Sequence, residues 1–288
     1  MKLSFKALLF VGFISLMVSC DSTRDVTGDS LVGVNYGDTD FSDTDGDDNT
    51  TGMKKIKAIV DTNGDGDVLT TTYTYDADKL TKVYSKSSLG DEDIYVLVYN
   101  GTQLSQIKQN QKDDTGQQID TTYDLVYTGS KVTSMKAVSK SGGVDMYNID
   151  TEFRYSTSNI SEAKSTFKTS AGDMGSLNSA LGFTGSNLTS FKLTSTVPFF
   201  PEVEMLMSNF DDKKNPFANL PEAFKAFSMN FMLGTSSPIA MFSQNNYKTI
   251  KVVGDSVSHD ITYTYNADNY PVAGTRSDDG GKITFEYY

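Results

Sequence analysis

A short frame recurs along most of this 288-residue chain and restricts its fold more than any other feature. It consists of an aromatic residue, four turn-forming residues, an apolar residue, two further residues and a second apolar residue. Five copies keep these offsets, with aromatic residues at Tyr75, Tyr99, Tyr127, Tyr155 and Tyr265. A degenerate copy places Leu188 and Phe191 at the two apolar positions. Such a repeat indicates that one supersecondary unit is used many times.

Each copy has the composition of a β-hairpin. The residues that precede the turn, such as 97–99 (Leu-Val-Tyr), are types that suit a pleated strand. The four residues that follow, such as 100–103 (Asn-Gly-Thr-Gln), favour tight turns. We therefore predict a mainly β fold, an antiparallel up-and-down meander of β-hairpin repeats. It would contain roughly 14 strands in an open or barrel-like sheet.

Residues 198–246 differ in composition from the blocks of frames on either side. Eight of the 17 phenylalanines lie between Phe199 and Phe242. This segment is predicted to be a small α-helical insertion that covers one face of the sheet. One helix would begin at Pro201, and its apolar face would consist of Val203, Leu206 and Phe210. A second helix would run from Pro221 to about Gly234 and carry a stripe made of Phe224, Phe227 and Phe231.

The N-terminal residues have the pattern of a secretory signal. Lys2 and Lys6 precede an apolar stretch that is too short to span a bilayer. The run 16–20 (Leu-Met-Val-Ser-Cys) resembles a lipobox, which implies removal of residues 1–19 and acylation of Cys20. The alternative is an ordinary secreted protein with a free cysteine.

Residues 20–52 are predicted to be the acylated cysteine followed by a disordered acidic tether. Between residues 21 and 52, nine are Asp and Arg24 is the sole basic residue. Such a segment buries too little apolar surface to fold, and its charges extend it. Residues 53–288 would then form a single domain that acyl chains hold at a membrane.

The repeats, the insertion and the C-terminal run 261–271 (ITYTYNADNYP) resemble a family of Bacteroidetes envelope lipoproteins. That family is of unknown function and has a porin-like β fold. The hairpins are also distantly similar to the YD repeats of rearrangement-hotspot proteins. The resemblance covers about residues 53–288. It implies a fold and an envelope location, most simply the outer membrane on either its periplasmic or its surface side, and it supplies no catalytic residues.

Charge restricts the partners. The formal net charge of the chain is −12, which argues against binding to nucleic acid and against a surface that lies on anionic lipid. A transmembrane barrel is disfavoured because lysines on the predicted strands interrupt any lipid-facing apolar band. These lysines are Lys82, Lys86, Lys108, Lys112, Lys136 and Lys140.

Residues for catalysis are scarce. His259 is the only histidine, and it lies at the start of a predicted strand, where a solvated side chain is the simpler interpretation. No carboxylates are paired in a way that would separate their pKa values for acid and base roles. We therefore expect a protein that is not an enzyme, with no catalytic residues.

One loop resembles a calcium site. Residues 61–68 match the first eight positions of a Ca²⁺-binding loop, with oxygen ligands at Asp61, Asn63 and Asp65. The twelfth position, which needs a bidentate acid, is Thr72, and predicted strands flank the loop instead of helices. A polar hairpin turn is therefore favoured, weak Ca²⁺ binding is the alternative, and no other cofactor or metal is expected.

These features predict a non-enzymatic, lipid-anchored envelope protein that acts as a binding or scaffold module for an unknown ligand. An alternative is a carrier that holds a lipid or acyl chain in the concave face of the sheet, lined by Phe224, Phe227 and Phe231. Apolar stripes at helical spacing are normally core, and this is the favoured interpretation of the same three residues. A glycan-binding surface lipoprotein is a third hypothesis, weakened because the chain contains no Trp.

Overall fold

The structure, a computed structural model, describes residues 54–156, 159–197, 200, 202–229, 238–256 and 258–288. Sixteen antiparallel strands form a closed barrel in which each strand pairs with its neighbours in sequence and β1 pairs with β16. The predicted mainly β meander is confirmed, and it is barrel-like rather than open. Cys20 and the predicted signal and tether lie outside the described residues.

The strands are β1 (Ile56–Thr62), β2 (Val68–Asp76), β3 (Lys79–Ser87), β4 (Glu92–Asn100), β5 (Gln103–Lys112), β6 (Gln118–Thr128), β7 (Lys131–Ser141), β8 (Val144–Ser156), β9 (Asn159–Thr169), β10 (Gly172–Thr184), β11 (Asn187–Ser195), β12 (Val203–Ser208), β13 (Thr249–Val252), β14 (His259–Tyr265), β15 (Pro271–Arg276) and β16 (Lys282–Tyr287). Among the described residues between β12 and β13 are one short α-helix, α1 (Glu222–Ser228), and one 3-10 helix (Pro238–Phe242).

The two ends of the barrel differ. The turns of the frames follow even-numbered strands, so they lie at one end together with the insertion and the start of β1. We call this the frame end. The loops after odd-numbered strands lie at the opposite end, which we call the loop end.

Strand residues alternate between an apolar interior and a polar exterior. In β6, Ile119 and Tyr123 are buried, whereas Asp120 and Asp124 are exposed. This period of two is the sequence signature of a strand with one buried face. It directs the frame's apolar positions, such as Leu104 and Ile107, into the interior.

Side-chain hydrogen bonds between successive frames explain why tyrosine recurs. The Tyr127 hydroxyl donates to the Leu104 carbonyl oxygen (2.5 Å), and the Tyr155 hydroxyl donates to the Val132 carbonyl oxygen (2.9 Å). The Tyr99 hydroxyl likewise donates to a carbonyl of the preceding frame. In these three frames the tyrosine therefore links its frame to the preceding one.

A β-bulge marks the aromatic position of each frame. The register shifts between Val98 and Tyr99 and again between Val126 and Tyr127. The turns that follow contain Gly101 and Gly129, whose φ angles of 63° and 62° lie in the left-handed region that glycine tolerates best. The bulge and the glycine together let the chain reverse within a short loop.

The degenerate copy is a full member of the series. Phe183 takes the aromatic position, opposite Leu188, and the register shifts there as it does at the tyrosines. Because phenylalanine has no hydroxyl, this copy lacks the bond to the preceding frame.

The predicted helix at residues 201–210 is wrong: this segment contains β12. Val203, Met205 and Met207 are buried while the alternate residues face outward, which is a strand period and not a helical one. Pro201 and the helical spacing of Val203 and Leu206 favour a helix, but β12 instead pairs with β11 and β13. This strand is one reason why the barrel has 16 strands instead of about 14.

The second predicted helix exists as α1, which begins immediately after Pro221. Its predicted end near Gly234 and the predicted stripe residue Phe231 lie outside the described residues.

The insertion is fixed to the frame end by polar contacts. Asp211 accepts hydrogen bonds from the Tyr265 hydroxyl and from the backbone nitrogen of Asn246, the latter at 3.1 Å.

The first and last strands close the barrel. β1 and β16 pair from Ile56–Tyr287 to Thr62–Lys282, with one bulge. A partly buried ion pair supports this seam at the loop end, where Arg276 Nη1 lies 2.6 Å from Asp61 Oδ1. At the frame end the Tyr288 hydroxyl donates to the Tyr73 carbonyl oxygen at 3.0 Å.

Candidate functional site

The insertion occupies the barrel interior through α1. Phe224 and Phe227 are fully buried. The Phe227 ring stands edge-on to Tyr123 and Tyr95, with ring centroids 4.8 and 5.7 Å apart, and lies 6.0 Å from the Phe224 ring. These contacts are those of core side chains. The alternative role of the stripe, to line a ligand cup, stays a prediction.

A polar cluster adjoins these tyrosines. Asp93 is directed inward because it is in phase with Tyr95 along β4. Gln109 Nε2 donates to Asp93 Oδ1 (3.0 Å) and to the Tyr95 hydroxyl oxygen (3.1 Å). The Tyr123 hydroxyl donates to Gln109 Oε1 (2.7 Å). A continuous chain of hydrogen bonds thus links a carboxyl group to both rings that hold Phe227.

Burial shifts the pKa values in this cluster. It raises the pKa of Asp93 to about 6, although the hydrogen bond from Gln109 partly opposes the rise. The pKa of both Tyr95 and Tyr123 is raised well above the usual value, mainly by burial. Asp93 is therefore the one member of the cluster that changes charge near neutral pH.

Buried hydroxyl pairs form a further polar layer inside the barrel. Each joins two neighbouring strands, and the oxygens are 2.7–3.0 Å apart. The pairs are Thr71–Ser85, Thr121–Ser139 and Thr151–Ser165. Because each hydroxyl has its partner on the adjacent strand, these polar groups are buried without losing hydrogen bonds.

Of the predicted calcium ligands, Asp61 lies near the end of β1, and Asn63 and Asp65 lie in the turn between β1 and β2. Asp61 accepts a hydrogen bond from Arg276. Asn63 Oδ1 accepts from the backbone nitrogens of Asp65 and Asp67 at 3.0 and 2.8 Å, which is the geometry of an Asx turn. Asp65 is exposed. In the described part of the chain, no group of three or more His, Cys, Asp or Glu side chains is arranged to hold a metal ion.

His259 lies beside a carboxylate. Its Nδ1 is 2.7 Å from Asp278 Oδ2, and both side chains are less than one-third exposed. The pair joins the start of β14 to the loop between β15 and β16.

An open cleft of about 260 Å³ lies at the frame end, between the insertion and the ends of β9 and β10. Its apolar lining comes from Ile160, Phe183, Met241 and Phe242. Lys225 also lines it; its Nζ donates to the Ala218 carbonyl oxygen (2.9 Å), and burial lowers its pKa. The cleft therefore combines an apolar wall with one partly desolvated ammonium group and the carboxylate of Glu222, which partly opposes the lowering of the Lys225 pKa.

The sequence analysis missed Asp93 and Gln109. A signal for Asp93 was present, because an acidic residue that alternates in phase with Tyr95 and Leu97 must point into the interior of the sheet. Nothing in the sequence alone identifies Gln109 as its partner.

Comparisons with known proteins find similarity of fold. A porin-like protein from Bacteroides vulgatus ATCC 8482 has a TM-score of 0.50 and 14% identity, over 82% of this chain and 99% of its own. A porin-like protein from Bacteroides uniformis ATCC 8492 has a TM-score of 0.48 and 12% identity, over 81% of this chain and 96% of its own. No family model and no curated protein matches this chain. Within the described residues, no helix is both long enough and apolar enough to cross a bilayer.

Proposed function

We propose that this protein is a non-enzymatic, lipid-anchored barrel of the cell envelope that serves as a binding or scaffold module. The observation that carries the proposal is the distribution of polarity. The barrel buries apolar side chains inside and presents charged side chains outside, as a protein surrounded by water does.

Ion pairs across neighbouring strands illustrate this outer surface. Lys168 Nζ lies 2.7 Å from Asp150 Oδ2, and Lys192 Nζ lies 3.3 Å from Glu204 Oε2. A barrel that spans a membrane needs an outward apolar band, which such pairs would interrupt. Attachment to a membrane is therefore assigned to the acyl chains on Cys20, and the porin-like fold is here not used for passage of solutes.

The interior supports the same proposal. Side chains from α1 and the inward hydroxyl pairs occupy it, and the polar cluster around Asp93 is satisfied by Gln109. Asp93 has no nucleophile among its hydrogen-bond partners. Binding is consequently assigned to the outer surface and the two ends of the barrel.

Acylation is tested by Cys20→Ala in the producing cell. We expect the variant to leave the membrane fraction or to keep its signal segment, because no described helix can hold the chain in a bilayer. Detergent phase partitioning and intact mass measurement are the readouts. A variant that loses its signal and still partitions fully into detergent would contradict the anchor.

The cleft favours a second candidate function, a carrier of a single-chain fatty acid. Its apolar lining suits an acyl chain, and Lys225, which shares the cleft with the Glu222 carboxylate, is the group that would pair with a fatty-acid carboxylate. Lys225→Met should weaken binding of a fluorescent fatty acid about tenfold and leave a fatty alcohol unaffected. Lys213→Met, which removes a lysine outside the cleft, is the control. Equal binding by all three proteins would reject the carrier.

A further inference from the structure

The charges of the folded domain are unevenly distributed around the barrel. Residues 54–288 contain 22 basic and 28 acidic side chains. Strands β3 to β7 nevertheless carry eight lysines against four acidic residues, one of which, Asp93, faces the interior. Strands β10 to β16, by contrast, carry four basic and four acidic residues. One wall is therefore basic on a domain that is acidic as a whole.

The basic wall also presents apolar side chains to solvent. Ile94, Val96 and Val98 alternate along the outer face of β4, and Val96 and Val98 are 42% and 37% exposed. Tyr84 lies opposite Ile94 on β3. These four side chains form one patch, which we call the β4 patch.

Lysines flank the β4 patch on both sides. Lys82 on β3 and Lys108 on β5 lie directly opposite Val96 in the two registers. The Lys82 ammonium is 5.8 Å from the centroid of the Tyr84 ring. Neither lysine forms an ion pair with any described acidic residue, so both ammonium groups are available to an external anion.

The acidic residues of this wall do not neutralise those lysines. Asp124 Oδ1 accepts from Gln106 Nε2 at 2.7 Å, and Asp120 Oδ1 accepts from Asn110 Nδ2 at 2.6 Å. Their direct partners are thus amides on β5. Glu92 is instead paired with Lys86, at the loop-end side of the patch.

We propose that the wall formed by β3 to β7, centred on the β4 patch, docks onto the surface of an anionic phospholipid bilayer. Lysines attract a negatively charged headgroup layer, and their apolar stems lie along the interface. Tyrosine and the branched aliphatic side chains of the patch insert at headgroup depth, where amphipathic and apolar groups are favoured.

This docking goes beyond the acyl anchor but rests on it in one respect, since acylation at Cys20 brings the wall to the bilayer. It also departs from the expectation based on net charge. Net charge averages over all walls of the barrel, and nine of the acidic residues lie in the segment 21–52, which precedes the folded domain.

The test uses the mature full-length chain with Cys20→Ser, so that no acyl chain contributes to binding. The chain is sedimented with vesicles of phosphatidylcholine that contain phosphatidylglycerol, and with vesicles of phosphatidylcholine alone. We expect binding to the anionic vesicles. The triple variant Lys82→Gln, Lys108→Gln and Lys136→Gln should weaken it roughly 100-fold.

A second triple variant provides the matched control. Lys192→Gln, Lys251→Gln and Lys282→Gln removes the same charge from the opposite strands and should change binding less than about threefold. The apolar part is tested by Val96→Asp, which should weaken binding about tenfold, against Leu206→Asp at a position of equal exposure, 41%. Thermal melting confirms that each variant is folded.

Equal losses in the two triple variants, equal binding to uncharged vesicles, or no binding by the parent chain would each overturn the docking surface. Failure of the docking hypothesis can be distinguished from failure of the proposed acyl anchor. Loss of acylation in cells leaves the vesicle assay unchanged, and failure of the vesicle assay leaves detergent partitioning of the acylated chain unchanged.

Discussion

The repeat region, β2 to β9, and the region from β12 to β14 are held together in different ways. Strands β2 to β9 are nine to 13 residues long, and tyrosine hydroxyls join consecutive frames. In contrast, β13 has four residues and pairs with β14 at only two positions, Thr249–Asp260 and Ile250–His259. The ladder in this second region is too short to be stable without other contacts.

The insertion supplies those contacts. Asp211, just after β12, accepts hydrogen bonds from Tyr265 at the end of β14 and from Asn246 just before β13. The backbone nitrogen of Lys214 donates to the Asn269 carbonyl oxygen (3.0 Å). The barrel thus combines strands stabilised by local repetition with strands stabilised by residues distant in sequence.

The largest expected effect is in the insertion. Phe227→Ala should lower the free energy of unfolding by about 3–5 kcal/mol, because it leaves a cavity between Tyr95, Tyr123 and α1. Urea unfolding of the Cys20→Ser chain measures it. Hydrogen exchange should rise more in β13 and β14 than in the repeat region.

Phe153→Ala is the matched control, since Phe153 is a buried ring within β8 of the repeat region. We expect a loss of stability of similar size, with exchange raised over the whole barrel. Identical exchange patterns in the two variants would remove the distinction between the regions. Near-unchanged stability of Phe227→Ala would instead favour the ligand-lining hypothesis.

A smaller effect is expected at Asp93 in the repeat region. Through Gln109 it is hydrogen-bonded to Tyr95 and Tyr123, whose rings contact Phe227 of the insertion. Its folded pKa of about 6 exceeds its usual value of 3.8, so the native state binds more protons than the unfolded state between these pH values. Stability therefore falls as pH rises through this window and is lowest above about pH 6. Asp93→Asn should stabilise the protein at pH 8 by up to about 3 kcal/mol and have little effect at pH 4.

Thermal melting across this pH range gives the measurement, with Asp120→Asn on the outer face of β6 as the control. Asp120 is exposed, so this variant removes one carboxylate from the sheet without removing a buried one. If Asp93→Asn is less stable than the parent chain at pH 8, the hydrogen bond from Gln109 to the Asp93 carboxylate stabilises the folded state by more than burial of the charge destabilises it.

The smallest effect is expected within a frame. Tyr127→Phe removes the hydroxyl that donates to Leu104 and should cost about 1 kcal/mol. Tyr75→Phe is the control, because Tyr75 belongs to the first frame and its hydroxyl donates to no described carbonyl of a preceding frame. Urea unfolding should separate the two variants, and equal losses would refute the role assigned to the hydroxyl.

The repeat region could be predicted from the sequence because its determinants are local. The strand residues, the turn residues and the offset between Tyr127 and Val132 all lie within one hairpin. What the sequence could not supply is the acceptor of each hydroxyl, because that carbonyl belongs to the preceding frame.

β12 was mispredicted because short segments with apolar residues can fit two periods. Val203 and Leu206 fit a helical face, while Val203, Met205 and Met207 fit a strand. Pairing with β11 and β13 decides between them, and β13 lies some 40 residues further along the chain. The choice is made by tertiary structure.

The candidate site was only partly predictable for the same reason. Asp61 has the spacing of a calcium ligand, but its hydrogen-bond donor is Arg276, 215 residues away. Phe227 was identified correctly as part of a helix, while its neighbours Tyr95 and Tyr123 became visible only when the barrel placed them around it.

The pairing of β1 with β16 has a consequence for the order of folding. Every other strand pairs with its neighbour in the chain, so hairpins can form one after another along the polypeptide. Closure must wait for residues 282–287 and bears the loop entropy of the whole domain. Until that moment two unpaired edges are exposed to other chains. A protein truncated before β16 would keep those edges permanently, and we expect it to self-associate while its remaining hairpins stay intact.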